Sequence, residues 1–323
     1  MRALVIGLGQ DGRLMSEKLI AEGVEFRVIM RRSSFSVSLV SNYGIPVENI
    51  LTRLIISADM LEDLHQDFAF THIFNFAANS FVQESNDHFR DYIQANSFIT
   101  WELLKFVKRM PEIWMMQPLS SEILVDTPRS EADISRCVAP RNAYGLSKLI
   151  DMHSCSIERN LLGLQIFSPI VFNHESRLRP VQFFTRKVLA FLRTEFRKTQ
   201  ELRIFNAASV RDWGSAPEYI DIFLQAARSR LCGSPLLGTG FGLSVEAFVD
   251  HALSWLDMDN VKWQENGLLR WRGSDWQITE VNRDLKDASR VVVANRDAVE
   301  GAFGCAPMIF GTELVRQLAL DVI

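Results

Sequence analysis

Cysteine is scarce in this chain, and what little there is stays scattered. Four thiols, Cys137, Cys155, Cys232 and Cys305, occur in 323 residues, and no two form a C-x-x-C pair. That pattern argues against a disulfide framework and suits reduced packing thiols in a reducing cytoplasm. No apolar run approaches the roughly 18 residues that would suggest a membrane span. No signal-peptide pattern precedes the first strand. Basic charge is not in excess. The formal net charge is −4, which gives no reason to expect nucleic acid as a partner. Internal repeats and low-complexity linkers are also absent. What remains is a chain with 47% hydrophobic content, enough for one large α/β domain with a smaller lobe.

The apolar pattern alternates between short buried strands and longer amphipathic helices. Strands are expected at Arg2 to Ile6, Val24 to Met30, Thr71 to Phe76 and Ile113 to Met116, with another buried run from Leu164 to Phe172. Helices are expected from the first glycine turn to about Ala21, over Asp87 to Lys108 and over Ala143 to Asn160. This alternation predicts a doubly wound parallel sheet, a Rossmann architecture. Beyond residue 165 the pattern loosens, with helices expected at Val181 to Arg197 and Ser244 to Leu256. Residues 1–165 therefore read as a cofactor-binding domain, completed by a segment near 205–230. Residues 166–323 read mainly as a smaller C-terminal α/β lobe. Trp255, Trp263, Trp271 and Trp276 are expected to pack in that lobe's core.

Gly7-Leu8-Gly9-Gln10-Asp11-Gly12 follows the first strand and opens the first helix. The spacing is G-x-G-x-x-G. The turn needs a positive φ, the backbone must approach a pyrophosphate, and the helix must pack close to the strand. The helix N-terminus then faces the phosphates. The second strand ends in Met30-Arg31-Arg32-Ser33-Ser34. NAD enzymes place an acid there for the ribose 2′-hydroxyl. Arg31 and Arg32 instead suit a 2′-phosphate, favouring NADP over NAD, unless they form a solvated basic turn.

Tyr144-Gly145-Leu146-Ser147-Lys148 is Y-x-x-x-K within an expected helix, which puts the ammonium and the phenol on one face. A positive charge nearby favours phenolate. Ser120-Ser121-Glu122 follows a strand. If that segment stays extended, Ser120 and Glu122 point the same way and bring a hydroxyl and a carboxylate into one site. Glu122 reads otherwise as a loop acid or helix cap. Phe172-Asn173-His174-Glu175-Ser176 places polar groups directly after a buried run, where α/β sheets hold ligands. Phe183 opens F-F-T-R-K, and Arg211 opens R-D-W-G after an apolar stretch from Leu202 to Phe205. Lys187, with Arg186 and Arg193, reads equally as a solvated basic face.

F-N-H-E-S, F-F-T-R-K and R-D-W-G, in this order and spacing, resemble the GDP-mannose 4,6-dehydratase family of extended short-chain dehydrogenases/reductases. Gly9-Gln10-Asp11-Gly12 matches that family's G-Q-D-G, with a loop one residue shorter. Pro140 to Tyr144 resembles its P-R-S-P-Y or P-R-N-P-Y, and Ser120-Ser121-Glu122 resembles its S-T-S-E. The resemblance implies an NADP-dependent enzyme that oxidises C4 of a nucleotide-linked sugar, removes the C5 proton, loses water from C6 and returns the hydride to C6. Ser120, Glu122, Tyr144 and Lys148 would be catalytic. Asp59 and Met60, matching G-D-L, and Ala77 and Ala78, matching N-L-A-A, would join the glycine turn in holding the cofactor. Asn173, Lys187 and Arg211 would hold the nucleotide diphosphate or its base. The helices at 87–108 and 143–160 resemble a pair that forms a four-helix dimer bundle, so a homodimer or homotetramer is implied. The chain departs from the pattern at Leu178, where the family has arginine, and at Leu124 and Val125, where it has tyrosine and glycine. A 4-ketoreductase, 4-dehydrogenase or epimerase acting on a nucleotide sugar remains the alternative. A non-catalytic cofactor sensor would not be expected to keep Ser120, Tyr144 and Lys148 together.

Overall fold

The computed structural model describes residues 1–31, 44–53, 55–129, 133–193, 201–204, 207–256, 268–271, 274–280 and 291–320. Its centre is a six-stranded parallel sheet. The strands are β1 (Ala3–Ile6), β2 (Phe26–Arg31), β3 (Ile50–Arg53), β4 (His72–Asn75), β5 (Trp114–Met116) and β6 (Ile166–Phe167). Their order is β3-β2-β1-β4-β5-β6, the doubly wound order of a Rossmann sheet.

β1, at the centre of the sheet, is apolar at every position because both its faces are covered. Ala3 and Val5 of β1 face one apolar cluster, while Leu4 and Ile6 face the other. Helices α1 (Gln10–Ala21), α2 (Ala58–Phe68), α3 (Phe89–Arg109) and α4 (Ala143–Leu162) follow the strands in the usual alternation. α2 and α3 bury Leu61, Leu103, Phe106 and Val107 against the Leu4 and Ile6 face. α1 covers the other face with Leu14, Met15 and Leu19.

The long apolar run from Leu164 does not form one strand. It divides into β6 and β7 (Ile170–Val171), and β8 (Asn173–Glu175) follows it. Pro169 has no N–H to offer a ladder, and the backbone changes partners around it. The Ser168 N–H donates to Gly233 O at 2.8 Å, and Ile170 N–H to Pro235 O at 2.8 Å. Helix α5 (Phe184–Arg193) begins three residues after the expected start at Val181, and residues 194–197 of the expected span lie outside the described residues. β9 (Glu201–Ile204) follows it.

R-D-W-G does not merely follow a strand; it lies within one, β10 (Val210–Ser215). β10 pairs parallel with β8, setting Trp213 beside Asn173 and Ser215 beside Glu175. Asp212 of this strand is fully buried. It accepts from Thr239 N at 3.0 Å, Thr239 Oγ1 at 2.6 Å, Gly240 N at 3.0 Å and Ala294 N at 3.1 Å. Four donors converge on one carboxylate and tie three chain segments together.

Helix α6 (Ala216–Ser229) returns to the Rossmann sheet and packs Tyr219, Ile220, Phe223 and Ala227 into the cluster shared with α1. β11 (Leu236–Leu237) pairs with β7, and β12 (Gly242–Ser244) with β10. The second lobe has its own core, formed by α5, α7 (Val245–Trp255) and a C-terminal helix at Gly311–Leu320, with Trp213 and Phe248 at its centre. Of the four late tryptophans, Trp255 is exposed, with the Arg316 guanidinium over its ring. It is therefore not the core residue expected. Trp271 and Trp276 lie in strands Leu268–Trp271 and Ser274–Glu280, and Trp263 lies outside the described residues. Among the described residues, no helix is long and apolar enough to cross a membrane.

Candidate active site

A cleft of about 900 Å³ opens at the carboxyl ends of β1 and β4, between the sheet and the second lobe. This is where the strand order reverses, and where such sheets hold ligands. Its back wall is the glycine turn. Gly7 adopts φ +90°, and a Cβ there would lie 2.7 Å from Ala77 N. A Cβ on Gly12 would lie 2.0 Å from Gly7 O, so helix and turn pack too closely for any side chain. Gly9 lines the cleft, and a Cβ there would meet nothing within 4 Å. No side chain caps the N-terminus of α1. An open glycine-lined space before an uncapped helix N-terminus fits a pyrophosphate.

The side chains of the G-Q-D-G and F-N-H-E-S strings interlock. His174 Nδ1 donates to Phe172 O at 2.8 Å, and His174 Nε2 donates to both oxygens of Asp11 at 3.1 Å. Both partners are acceptors only, so the imidazolium satisfies the geometry best. Gln10 Nε2 donates to His174 O at 3.0 Å, and Ser176 Oγ donates to Gln10 Oε1 at 2.9 Å. Glu175 accepts from Thr185 Oγ1 at 2.7 Å. The expected ligand-gripping cluster is thus largely engaged in joining the lobes. Asn173 lines the cleft, as do Lys187 and Arg211 from the second lobe.

The opposite wall carries the expected chemistry. Ser120 is extended, but Ser121–Ile123 forms a turn of 3-10 helix, so the segment does not stay extended through Glu122. Ser120 Oγ caps it by accepting the Glu122 N–H at 3.2 Å, a local bond that serine readily offers at a helix start. Ser120 and Glu122 both still line the cleft. The Ser120 side chain lies near the Tyr144 phenol. Burial pushes the phenol up to about 12, opposed by the Ser120 side chain and the Arg179 charge. The sequence pattern assigned that cationic role to Lys148. In the structure Lys148 Nζ instead donates to Pro118 O at 2.9 Å and lies 3.8 Å from Asp151.

Two further residues shape this wall and were missed in the sequence. Asn142 Oδ1 caps α4 by accepting the Gly145 N–H at 2.7 Å, while its Nδ2 donates to Glu122 Oε2 at 2.9 Å. The cap was detectable, since asparagine directly precedes the helix. The bond to Glu122 was not, because twenty residues separate the partners. Arg179 stacks on Phe183 at 3.9 Å and lies 3.4 Å from Glu175. Nothing in local spacing points it toward Tyr144.

The remaining cofactor assignments are placed as follows. Arg31 is exposed and lines the cleft at the end of β2; Arg32 lies outside the described residues. Ala78 lines the cleft, and Ala77 packs beside Gly7. Asp59 sits on the first turn of α2, exposed and paired with Arg109 at 2.7 Å. Met60 packs against the cluster under α2 and α3. Neither Asp59 nor Met60 is part of the cleft lining. Among the described residues, no His, Cys, Asp or Glu cluster is placed to hold a metal ion.

The sheet order, the glycine turn and the Tyr144–Lys148 helix define an extended short-chain dehydrogenase/reductase fold. Solved structures bear this out. The structure superposes on dTDP-glucose 4,6-dehydratase from Bacillus anthracis in complex with NAD, with a TM-score of 0.77 at 15% identity, covering 100% of this chain and 96% of that one. RMD from Pseudomonas aeruginosa, complexed with NADPH, superposes with a TM-score of 0.73 at 16% identity, covering 99% and 98%. The sequence profile of the GDP-mannose 4,6 dehydratase family matches residues 4–317, and the chain belongs to that family. It is 26% identical to GDP-mannose 4,6 dehydratase 2 of Caenorhabditis elegans over 344 residues, covering 98% of this chain and 87% of the relative.

The Asp11–His174 pair predicts a specific pH dependence. Burial works against both charges. For His174, the Asp11 charge and hydrogen bond outweigh burial and hold the imidazole above its usual 6.5. For Asp11, the His174 charge and hydrogen bond hold the carboxyl below its usual 3.8. A raised histidine stabilises fully below 6.5 and loses its effect as pH rises through the folded value. A lowered aspartate stabilises above 3.8 and loses its effect as pH falls through the folded value. The pair should therefore stabilise most between pH 3.8 and 6.5. His174→Phe preserves an aromatic ring to stack on Tyr219 but removes the charge. It should cost on the order of 3 kcal/mol near pH 5, and less above neutrality. Urea unfolding of both proteins across pH 4 to 9 measures this. A constant difference over that range would exclude the ion pair as the cause.

Proposed function

We propose that this protein is an NADP-dependent nucleotide-sugar 4,6-dehydratase acting on GDP-mannose or a close relative. The observation that carries the reading is the carboxylate of Glu122 in the same cleft as Ser120, Tyr144 and Lys148. Reduction, oxidation and epimerisation at C4 need the hydroxyl, phenol and ammonium. Dehydration also needs a base for a carbon-bound proton.

Tyr144 takes the C4 hydroxyl proton, with Ser120 beside it. The resulting ketone acidifies the C5 proton, and Glu122 removes it and passes it to the C6 hydroxyl, which leaves as water. Asn142 holds Glu122 Oε2, which fixes the carboxylate's orientation. Lys187 and Arg211 provide cationic groups for the diphosphate, and Asn173 a polar contact. When bound, a nicotinamide cofactor would supply the hydride exchange needed to oxidise C4 and reduce C6. The glycine turn and the N-terminus of α1 would hold its pyrophosphate, and Arg31 its 2′-phosphate. The alternative reading, a 4-dehydrogenase, 4-ketoreductase or epimerase, requires only that Glu122 remove no proton. Its Asn142 contact is compatible with that role.

The two readings separate on Glu122. Tyr144→Phe should abolish C4 oxidation, so no reduced cofactor appears. Glu122→Gln should leave C4 oxidation possible, lower turnover by about 10²–10⁴-fold and let reduced cofactor persist on the protein. In deuterated water the native enzyme should place deuterium at C5 of a 6-deoxy-4-keto product. A 4-keto product that retains its 6-hydroxyl, together with a fully active Glu122→Gln, would establish the alternative.

Cofactor choice rests on Arg31. NADP(H) should bind more tightly than NAD(H), and Arg31→Asp should weaken NADP selectively, by about tenfold or more. Equal affinity of the native protein for both cofactors in calorimetry would refute this.

We also propose a homodimer, or a tetramer built from it, through α3 and α4. Phe98, Trp101 and Ile157 are exposed beside one another on these packed helices, with Leu161 one turn further along. An apolar patch of this kind commonly marks a contact surface. Light scattering should show at least a dimer, reduced to monomer by Trp101→Glu with Ile157→Glu. A native monomer at micromolar concentration would rule it out.

A further inference from the structure

Beneath the cleft lies a buried acid that the proposed reaction does not use. Asp151 follows Lys148 by three residues on α4, so the two share a helix face. Asp151 is 0% exposed and Lys148 4%. Asp151 Oδ2 lies 3.8 Å from Lys148 Nζ and accepts from Gln117 Nε2 at 3.3 Å. Gln117 Oε1 accepts from Asn75 Nδ2 at 2.6 Å, and Asn75 Oδ1 accepts from the Ala77 N–H at 3.2 Å. A chain of side chains thus runs from the end of β4, across β5, to the base of Lys148.

We propose that Asp151 is a positioning residue for Lys148. Its buried carboxylate, oriented by Asn75 and Gln117, keeps the Lys148 ammonium charged and directed at Pro118 O, one helical turn from Tyr144. This rests on the reading of Tyr144 and Lys148 as the catalytic pair, and deepens it.

The argument is one of compensation. A buried ammonium is strongly disfavoured unless it is paired and hydrogen-bonded. Pro118 O satisfies one of its three donors. The titratable groups that act on Lys148 are Asp151 and Cys155, both on α4. Burial drives the Cys155 thiol upward, leaving it neutral. The facing helix α3 brings the hydroxyls of Ser97 and Thr100 toward Asp151, and the strand ends bring the amides of Asn75 and Gln117. None of these four is charged. Burial pulls Lys148 downward and Asp151 lifts it again. Without the carboxylate, burial acts unopposed, and the ammonium loses its proton at a lower pH.

The test reads Lys148 directly. The full chain, labelled with ¹³Cε-lysine, is titrated by NMR, and the Lys148 signal is assigned by its loss in Lys148→Met. The native signal should be that of an ammonium at pH 7. Asp151→Asn, nearly isosteric, should move the midpoint down by about one pH unit or more, a tenfold change in proton affinity. The alkaline limb of the kcat profile should move with it, while KM for the sugar nucleotide stays within about twofold. Asp151→Glu should recover part of the shift. A neutral native Lys148 at pH 7, or an unchanged midpoint in Asp151→Asn, overturns the proposal. If Asp151→Asn does not fold, Gln117→Met decides, because loss of its bond to the carboxylate should lower the midpoint in the same direction. An unchanged value there overturns the proposal as well. A midpoint that moves while the rate profile does not would leave the pairing intact and remove Lys148 from the catalytic reading.

Discussion

The ion pair between Asp11 and His174 is the constraint on which the rest of this molecule depends. It joins the first turn of the sheet to a strand more than 160 residues later. A histidine with acceptors at both ring nitrogens needs both protons, and the positive charge then needs a carboxylate. Asp11 meets that need, while Gln10 bridges to the backbone and hydroxyl on either side. The glycine turn can then be held open toward solvent without a side chain of its own filling the space. β8, fixed by this contact, pairs with β10 and carries Trp213 and the second lobe's core with it.

The opposite wall is held by close approach. A Cβ on Gly145 would lie 2.6 Å from Glu122 O, so the first turn of α4 packs directly against the Ser120–Ile123 turn. Asn142 uses one oxygen for its own helix and one nitrogen for Glu122. Tyr144, Ser120 and Glu122 therefore meet through backbone contact and a shared cap. The resulting phenol is held against ionisation by burial, and the nearby cation that opposes this comes from Arg179 on the other lobe.

Much of this was legible in the residues. The apolar runs of β1, β2, β4 and β5 predicted a parallel sheet because strands covered on both faces cannot alternate with polar residues. Gly7 and Gly12 were readable as close-approach glycines because a strand, a turn and a helix succeed one another within a dozen residues. Helix α4 was readable from its period and its asparagine cap. Less legible was the run from Leu164 to Phe172, where the apolar pattern continues across Pro169 while the hydrogen-bonding partner changes. Whether Ser120 to Glu122 stays extended could not be read, because serine capping acts over two residues and leaves no periodic signal.

By itself, the sequence determined the architecture, the position of the glycine turn and the set of groups available for chemistry. Each follows from local order: hydrophobic period, backbone freedom at glycine, and side-chain type at the ends of strands. Tertiary structure alone decided which polar groups would be spent on the fold and which would face the cleft. His174, Gln10 and Asp11 look like ligand contacts in the string, yet they bond mainly to one another, and Glu175 bonds to Thr185. Asp151, Asn142 and Arg179 look ordinary there, yet they border the groups that matter. Such assignments depend on partners dozens to more than a hundred residues away, and on burial that strengthens each contact by excluding water. Neither distance in space nor exclusion of water is written in the local spacing of residues.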